Sequence, residues 1–340
     1  LMWHFKDQYA RAMGQPIVTS AQPAATAQAD LMTWEFKTNA VLAVGNVTAV
    51  GRDPAMTLTT DRLIWQMKDR LVQAVGAAHG VSGDPAVDVT ADRLIWQLGD
   101  RVAQAVGSAH AVSRDPAVTL TGDRFVWQLT PRILQAIGQA QAQRQADGQN
   151  SAVTINADRL IWQTKERVGH AVGRAVAVSP DPNLRVQTEH LVWQATRQVV
   201  SAVTPSFIER FRCAPGAACT VVDRARGNLA DVSLRDRTAW LRGQAYVSAA
   251  DPAVDVASES LRWNFRDQQM GSDTPVTVLD RRQNITLTAL RGALDLRAKV
   301  AELTGQVSGT APRRQARMTT DRLVWALDRQ EVQAFGHVFY

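Results

Sequence analysis

Tryptophan recurs along this chain at a nearly fixed interval, and that interval restricts the possible folds more than any other feature. Successive indoles stand 31 residues apart four times in a row, and then 35 and 31 residues apart. They are Trp3, Trp34, Trp65, Trp96, Trp127, Trp162 and Trp193. A fixed period of this length predicts an array of repeats, each of which buries its apolar face against its neighbours.

Two further markers keep the same phase as the tryptophans. A glycine lies 11 residues after a tryptophan at Gly14, Gly45, Gly76, Gly107, Gly138, Gly173 and Gly336. An Asp-Pro pair lies 8 residues after the glycine at 53–54, 84–85, 115–116 and 181–182. Three markers in one register indicate a single supersecondary unit that is repeated along the chain.

Each unit has the composition of β-structure. Residues 84–113 are rich in Val, Thr, Ile and Trp, alternate with a period of two, and are punctuated by Asp-Pro and Gly-Asp. These are strand and hairpin signals rather than helix signals. The sequence therefore predicts an all-β, antiparallel fold with two strand segments in each unit of about 31 residues.

The tryptophan is the centre of an apolar triplet. Leu94, Trp96 and Leu98 stand two residues apart, so they share one face of a strand. Val87 lies in the opposite phase, and a bulge or corner near Asp92 would return both apolar sets to one interior. We interpret the aspartates that recur at this point as caps of strained backbone amides rather than as catalytic acids. They are Asp61, Asp92, Asp123, Asp158 and Asp321.

The strand after the tryptophan strand alternates small residues with larger ones. Ala103, Ala105 and Ala109 share one face with Gly107, and the opposite face is more polar, so the small residues are expected to point inward. Two interpretations remain open. The small side chains pack against large ones in a closed core, or they keep the wall thin so that a ligand fits between two walls.

Cys213 and Cys219 bracket the sequence Ala-Pro-Gly-Ala-Ala. A Pro-Gly turn between two cysteines can close a small disulfide loop, which persists in an oxidising compartment. Two free thiols are the alternative. No Cys/His cluster has the spacing of a zinc site, so the sequence predicts no metal and no cofactor.

Regularity is lost in the second half of the chain. Thr204 stands where the marker glycine after Trp193 is expected, and Pro205 follows it. The array divides into regular repeats over 1–198, irregular and decorated repeats over 199–320, and a closing repeat over 321–340. We expect one elongated domain over 1–340, because a part of the array leaves its apolar face uncovered.

Arginine dominates a basic composition with a net charge of +6. This balance indicates either an anionic partner or a solvated surface on which Asp and Glu are interleaved with Arg. Because Arg is dispersed and Trp belongs to the predicted buried face, we expect no nucleic-acid partner. No run of 18 apolar residues is present that could span a bilayer as a helix.

Catalytic motifs are missing from the sequence. There is no Gly-x-Ser-x-Gly, His-Glu-x-x-His or phosphate loop. A polysaccharide-cleaving β-helix would need a local cluster of charged residues, whereas Asp and Arg recur here in every unit. We therefore expect that the protein is not an enzyme.

The strand core Ala-Asp-Arg-Leu-Ile-Trp-Gln, followed by Gln-Ala-Val-Gly, resembles the OstA-type repeat of the periplasmic lipopolysaccharide-transport proteins, the LptC and LptA family. Segment 43–47 (Ala-Val-Gly-Asn-Val) fits the second half of that repeat, and 91–92 and 157–158 (both Ala-Asp) fit the first half. The resemblance covers 1–198 and 321–340. Trp stands where the family more often has Tyr or Phe. The family members are shorter, so the length suggests an extended LptC-like member, with an LptA-like member as the alternative.

The resemblance implies a taco-like β-jellyroll whose apolar interior shields lipid acyl chains. Its expected function is that of a periplasmic bridge, which passes lipopolysaccharide from the inner-membrane transporter toward the outer membrane. Expected partners are lipopolysaccharide and other jellyroll proteins of the bridge and the transporter, joined through edge strands. Because Leu1 begins in the middle of a repeat, we expect that an N-terminal inner-membrane anchor precedes this sequence.

The central triplets are the expected lipid-binding residues. Nearly identical triplets would give an acyl chain a continuous path, along which each buried methylene gains about 0.8 kcal/mol. The expected lining residues are Leu63, Trp65, Met67, Leu94, Trp96, Leu98, Phe125, Trp127, Leu129, Leu160 and Trp162. A plain core is the alternative for each residue, and a structural or adhesive β-solenoid scaffold is the alternative for the protein.

Overall fold

The computed structural model describes residues 1–4, 6–21, 24–52, 55–83, 86–148, 151–213 and 218–340. These residues form 28 β-strands and one 3₁₀ helix, Pro312–Arg314. They group into two compact units. Unit 1 comprises Leu1–Gln145 and Asn156–His170, and unit 2 comprises Ala146–Ile155 and Ala171–Tyr340. The single domain over 1–340 stays a prediction.

Unit 1 holds the first twelve strands. They are β1 Met2–His4, β2 Tyr9–Met13, β3 Ile17–Ala21, β4 Ala24–Gln28, β5 Leu31–Glu35, β6 Ala40–Arg52, β7 Ala55–Gln66, β8 Leu71–Gly83, β9 Ala86–Gln97, β10 Val102–Arg114, β11 Ala117–Gln128 and β12 Ile133–Arg144. Strands β13 Val153–Gln163 and β14 Val168–Pro180 have residues in both units.

Unit 2 holds the remaining strands. They are β15 Asn183–Gln194, β16 Val199–Ala202, β17 Ser206–Arg212, β18 Thr220–Gly227, β19 Leu229–Ser233, β20 Thr238–Ala249, β21 Val254–Asn264, β22 Gln269–Ser272, β23 Val276–Asp280, β24 Ile285–Ala289, β25 Arg291–Asp295, β26 Val300–Ala311, β27 Ala316–Ala326 and β28 Glu331–Phe335.

Antiparallel pairing places the tryptophans of strands β1 to β11 in one row. Trp65 lies opposite Val41 and Val72, and Trp96 lies opposite Val72 and Ala103. An indole therefore alternates with a smaller side chain on successive strands. From β1 to β12 the row reads Trp3, Ala10, Trp34, Val41, Trp65, Val72, Trp96, Ala103, Trp127 and Leu134.

The long strands bend at the marker glycine. In β10, Gly107 and Ser108 lie opposite the single residue Asp123 of β11, which makes a β-bulge. The φ angles of Gly107 and Ser108 are +80° and +41°. A Cβ at Gly107 would lie 2.2 Å from the Asp92 Oδ2, so only glycine fits there. The recurring aspartate and the marker glycine therefore contact each other at the same corner.

The corner divides each long strand into two walls with their apolar faces turned inward. In β9, Val87, Val89 and Ala91 are buried before the corner, and Leu94 and Trp96 are buried after it. The phase change predicted near Asp92 is therefore confirmed. We call the segment that carries the tryptophan row the tryptophan wall, and the segment that ends at an Asp-Pro turn the Asp-Pro wall.

Unit 2 has a row of its own, which runs through the stretch that looked irregular in sequence. Six smaller residues occupy its positions between Trp193, Trp263 and Trp325. The row reads Trp193, Val200, Val232, Ala239, Trp263, Met270, Leu294, Ala301, Trp325 and Val332. Trp240 has the opposite orientation and is 37% exposed, because it is out of phase with this row.

At two corners of unit 2, a Thr-Pro pair interrupts the strand and takes the place of the bulge. Strands β16 and β17 are separated at Thr204-Pro205, and β22 and β23 at Thr274-Pro275. The Thr204 hydroxyl accepts the His190 N–H at 3.1 Å, and the Thr274 hydroxyl accepts the Ser260 N–H at 3.2 Å. Proline interrupts the ladder because it has no N–H. The threonine hydroxyl then satisfies the donor of the neighbouring strand.

Corner glycines also occur where the tryptophan spacing does not reveal them. Gly243 and Gly305 have φ angles of +71° and +81°. Their carbonyls accept the N–H groups of Asn228 and Leu290, each at 2.9 Å. The sequence does carry one signal for the first of them, since Asp251-Pro252 lies 8 residues after Gly243.

The predicted antiparallel β-jellyroll with repeats of about 31 residues is confirmed. The Asp-Pro pairs at 115–116 and 181–182 lie at turns between strands. The pairs at 53–54 and 84–85 lie outside the described residues, as does Phe5, which belongs to the first apolar triplet.

Candidate functional site

The tryptophan wall carries the residues that were expected to line a lipid path. Ten of them are at most 6% exposed, and Met67 is half-buried. The ten are Leu63, Trp65, Leu94, Trp96, Leu98, Phe125, Trp127, Leu129, Leu160 and Trp162. The structure places them in the interior, and their contact with lipid stays a prediction.

The two walls of unit 1 are in contact. A Cβ at Gly51, on the Asp-Pro wall of β6, would lie 2.2 Å from the Cη2 atom of Trp96. The indole therefore packs directly on the opposite backbone. A cavity of about 10 Å³ remains between Met56 and the side chains of Phe125 and Trp127. Of the two packing interpretations, the structure has large residues against small ones in a closed core.

Three indoles in this core have an unsatisfied donor. The Nε1 atoms of Trp65, Trp96 and Trp127 are buried, and no acceptor among the described residues bonds to them. A buried tryptophan N–H usually has a partner, and leaving one unpaired costs about 1–3 kcal/mol. Because the three lie on alternate strands, the strand spacing puts neighbouring donors roughly 9.6 Å apart. Trp34, in contrast, donates from Nε1 to Asn39 Oδ1 at 3.3 Å.

Each unit also has an apolar cavity that meets its tryptophan row. In unit 1 the cavity has a volume of about 180 Å³ and its lining includes Ile17, Met32 and Trp34. In unit 2 the volume is about 220 Å³ and the lining includes Leu287 and Trp325. These cavities give the row access to the surface, and Trp34 is 40% exposed.

The walls end in two series of turns, which we call lips. The tryptophan lip is formed by the turns that follow the tryptophan wall, and the Asp-Pro lip by the turns at the end of the Asp-Pro wall. Among the described residues, three ion pairs join the lips. They are Arg167 Nη2 to Asp115 Oδ2 at 2.6 Å in unit 1, and Arg237 Nη2 to Asp181 Oδ2 and Lys299 Nζ to Asp251 Oδ1, both at 2.9 Å, in unit 2.

The ion pairs between the lips are weak interactions. Their side chains are 34–74% exposed. Exposed ion pairs contribute about 0–1 kcal/mol each and weaken as salt concentration rises. The lip pairs by themselves therefore oppose separation of the walls only weakly. Sequence analysis did not find these pairs, because the partners stand 48 to 56 residues apart.

Glutamates cap two corner amides of unit 2. The Arg174 N–H donates to Glu189 Oε2 at 3.4 Å, and the Gln244 N–H donates to Glu259 Oε2 at 3.5 Å. At Asp30 the carboxylate instead accepts the Asn46 side-chain amide at 2.8 Å. The acids at the corners therefore have structural partners, and the capping role of the five recurring aspartates stays a prediction.

Two groups with a shifted pKa lie on half-buried positions outside the interior. Burial, with a hydrogen bond and a charge from Asp255, raises the pKa of Tyr246 above its ordinary value. The Ala298 N–H lowers the pKa of Asp295. Within the described ranges, His, Cys, Asp and Glu form no group of three that could hold a metal ion. None of the helices in the described part of the chain has the length and apolarity to cross a membrane.

Cys213 and Cys219 are joined by a disulfide with their Cα atoms 4.2 Å apart. The bond closes the connection between β17 and β18, and residues 214–217 of that connection lie outside the described residues. We expect the intact protein, measured by mass spectrometry without reductant, to be two hydrogens lighter than the reduced chain. A peptide map should show the two cysteines linked. Alkylation of both cysteines without reductant would contradict this bond.

The fold and its interior define the class of this protein as an antiparallel β-jellyroll built from repeats around a buried apolar face. A solved structure similar to part of the chain is that of LptH, the LptA homologous periplasmic component of the conserved lipopolysaccharide transport device from Pseudomonas aeruginosa. The two are 15% identical, with a TM-score of 0.32 over 41% of this chain and 95% of that chain. No protein-family profile and no curated protein matches the chain.

Proposed function

We propose that this protein is a non-enzymatic bridge component of the periplasm. It binds lipopolysaccharide through the acyl chains and passes it from an inner-membrane transporter toward the outer membrane. The acyl chains lie between the two walls, against the ten buried residues of the tryptophan wall and Met67. Attachment to the inner membrane belongs to an LptC-like form of this function, and a soluble bridge belongs to an LptA-like form.

The observation that carries this proposal is the series of unpaired indole donors at Trp65, Trp96 and Trp127. A purely structural core gains nothing from them, because each raises the free energy of the folded state. Acylated lipids carry ester or amide carbonyl oxygens at the head of each hydrocarbon chain. A lipid between the walls would supply both hydrocarbon for the apolar face and acceptors for the indole N–H groups.

Binding requires the walls to separate. The contact between Trp96 and Gly51 leaves no room for a hydrocarbon chain in the closed state. The exposed lip pairs oppose separation by only about 0–1 kcal/mol each. A chain that enters replaces contacts between the walls with contacts to lipid, so the apolar area kept from water changes little.

Edge strands support pairing with other jellyroll proteins. Within the described residues, β1 and β3 of unit 1 and β28 of unit 2 each pair with one strand only. Ile17 is 64% exposed on β3 and Phe335 is 45% exposed on β28. An unpaired edge with exposed apolar side chains favours β-augmentation by a partner sheet. The disulfide supports an oxidising compartment such as the periplasm.

A structural β-solenoid scaffold without lipid cargo is the second candidate. The closed packing of Trp96 on Gly51 favours it, because a scaffold needs a filled interior. The two candidates differ in what the interior contacts in the presence of lipid. A photo-crosslinking probe placed between the walls can therefore distinguish the carrier from the scaffold.

We expect a photo-crosslinker inside the interior to capture lipopolysaccharide. p-Benzoylphenylalanine replaces Trp96 in one variant and Met67 in another, and circular dichroism checks that each variant folds. Irradiation with lipopolysaccharide should give an adduct at both positions, detected by a mobility shift and an antibody against the lipid. The matched control carries the probe at Trp240, which is out of phase with the row. Adducts at Trp240 without adducts at the interior positions would sink the proposal, and no adduct at any position would favour the scaffold.

A further inference from the structure

The basic residues of the tryptophan lip stand directly beside the apolar interior. The backbone carbonyl of Arg237 accepts the N–H of Phe265 at 2.7 Å, and that of Lys299 accepts the N–H of Leu327 at 2.8 Å. Phe265 and Leu327 are the last apolar members of their tryptophan triplets and are buried. Arg237 and Lys299 therefore lie where the apolar face of the tryptophan wall ends, at the opening between the two walls, which we call the mouth.

Each of these cations reaches across the mouth to a carboxylate. Arg167, Arg237 and Lys299 come from equivalent turns, and their acceptors are the aspartates of three Asp-Pro turns. The same arrangement in three places indicates a property of the repeat rather than a chance surface contact. Asp53 and Asp84 hold the corresponding sequence positions in unit 1 and lie outside the described residues.

A polar cavity surrounds the pair of unit 1. It has a volume of about 320 Å³ and lies between the two lips, with Asp115, Arg132, Lys165 and Arg167 in its lining. The described part of its lining contains three cations and one carboxylate. Its volume falls in the range of small-ligand sites, and arginine and lysine are the side chains that bind phosphate and carboxylate groups.

We propose that the lip cations Arg167, Arg237 and Lys299 bind the anionic headgroup of an amphiphile whose tail lies between the walls. This inference rests on the proposed function, and it assigns a site to the headgroup of the cargo. In the closed state the aspartates Asp115, Asp181 and Asp251 occupy the positions that the headgroup anion takes in the loaded state. The carboxylate is displaced when the walls separate, so loading exchanges one charge-assisted pair for another.

Two sets of variants separate a headgroup site from a simple latch. The acid set is Asp115→Asn, Asp181→Asn and Asp251→Asn, and the base set is Arg167→Gln, Arg237→Gln and Lys299→Gln. Both sets break the same three ion pairs. A latch without a headgroup site predicts that both sets raise the affinity for any amphiphile. A headgroup site predicts opposite effects, because one set removes the competing anion and the other removes the binding cations.

The probes are a lysophosphatidic acid with a dibrominated acyl chain and the matching monoacylglycerol, which lacks the phosphate. Each is added below its critical micelle concentration, and quenching of the buried tryptophans by bromine reports entry of the tail. We expect the acid set to bind the phosphate lipid about fivefold more tightly and the base set about fivefold more weakly than the unmodified protein, as exposed charge pairs allow. The difference between the two sets should shrink in high salt and be absent for the monoacylglycerol.

A matched control accounts for the change in net charge. The variant Arg93→Gln, Arg124→Gln and Arg262→Gln removes three positive charges from exposed outward positions and keeps the three lip pairs. A loss of affinity in the base set that is no larger than in this control would overturn the headgroup site. Equal gains in both lip sets would overturn it as well and leave the carrier function intact. No quenching by either lipid in any protein would instead overturn the carrier function itself.

Discussion

Truncation of Trp96 to alanine should destabilise the protein more than any other single substitution considered for its interior. The indole is 2% exposed and packs on the backbone at Gly51, so Trp96→Ala leaves a large cavity between the walls. We expect a loss of about 3–5 kcal/mol in the free energy of unfolding. Urea denaturation followed by circular dichroism measures it.

Trp240→Ala is the matched control. Trp240 lies on the outward face, with the Arg262 guanidinium 6.0 Å from its ring centroid. Its loss should cost less than about 1 kcal/mol. Equal effects of the two substitutions would show that the inward tryptophans are not the packing centre of the fold.

Replacing Trp96 by benzothienylalanine separates the packing of the ring from its N–H group. This analogue keeps the bicyclic shape and lacks the donor that has no acceptor among the described residues. Stability should rise by about 1–3 kcal/mol, because the cost of an unpaired buried N–H is removed. Binding of an acylated lipid should weaken at the same time. A stabilised variant with unchanged lipid affinity would contradict the role that we assign to the indole donors.

Substitution at the corner glycine should also have a large effect. Gly107→Ala forces a side chain into a backbone with φ +80° and into contact with the Asp92 carboxylate. The backbone strain costs about 1–3 kcal/mol, and the steric overlap adds about 1–3 kcal/mol. Thermal unfolding should therefore shift to a clearly lower temperature, and the Trp96 region should show increased hydrogen exchange.

Two controls divide this effect into its causes. Gly14 has a φ of +85° and nothing within 4 Å of a Cβ, so Gly14→Ala measures the strain alone. Adding Asp92→Ala to Gly107→Ala removes the carboxylate and should recover the steric part. If Gly14→Ala and Gly107→Ala were equally costly, the contact between aspartate and glycine would have no role in shaping the corner.

The regular half of this fold can be predicted from sequence because its forces are local and periodic. Side chains of a strand alternate faces with a period of two, so the triplet around Trp96 and the phase change at Asp92 are visible in one unit. The 31-residue interval then requires that equivalent positions align in the stacked strands. The same reasoning failed between Trp193 and Trp325, where Val232 and Leu294 stand at positions that tryptophan holds in the regular repeats. Packing needs only an apolar residue of suitable size at those positions.

The corners, too, can be predicted from sequence only in part. The bulge at Gly107 has a sequence signal, because a positive φ beside a carboxylate requires glycine. The breaks at Thr204-Pro205 and Thr274-Pro275 do not follow the glycine pattern. There the proline ends the ladder, and the threonine hydroxyl accepts the N–H group of the neighbouring strand. A search for glycine at the expected interval therefore finds the bulges and misses the Thr-Pro breaks.

By itself, then, the sequence determined the β-structure, the period and the inward face, all of which depend on neighbours along one or two strands. Only the tertiary structure decided that Trp96 rests on Gly51 and that Arg167 meets Asp115 across the mouth. Both contacts join residues about 50 positions apart, and they depend on how far each strand bends at its corner. That bend sets the distance between the walls, and with it whether the interior is closed or open to a hydrocarbon chain.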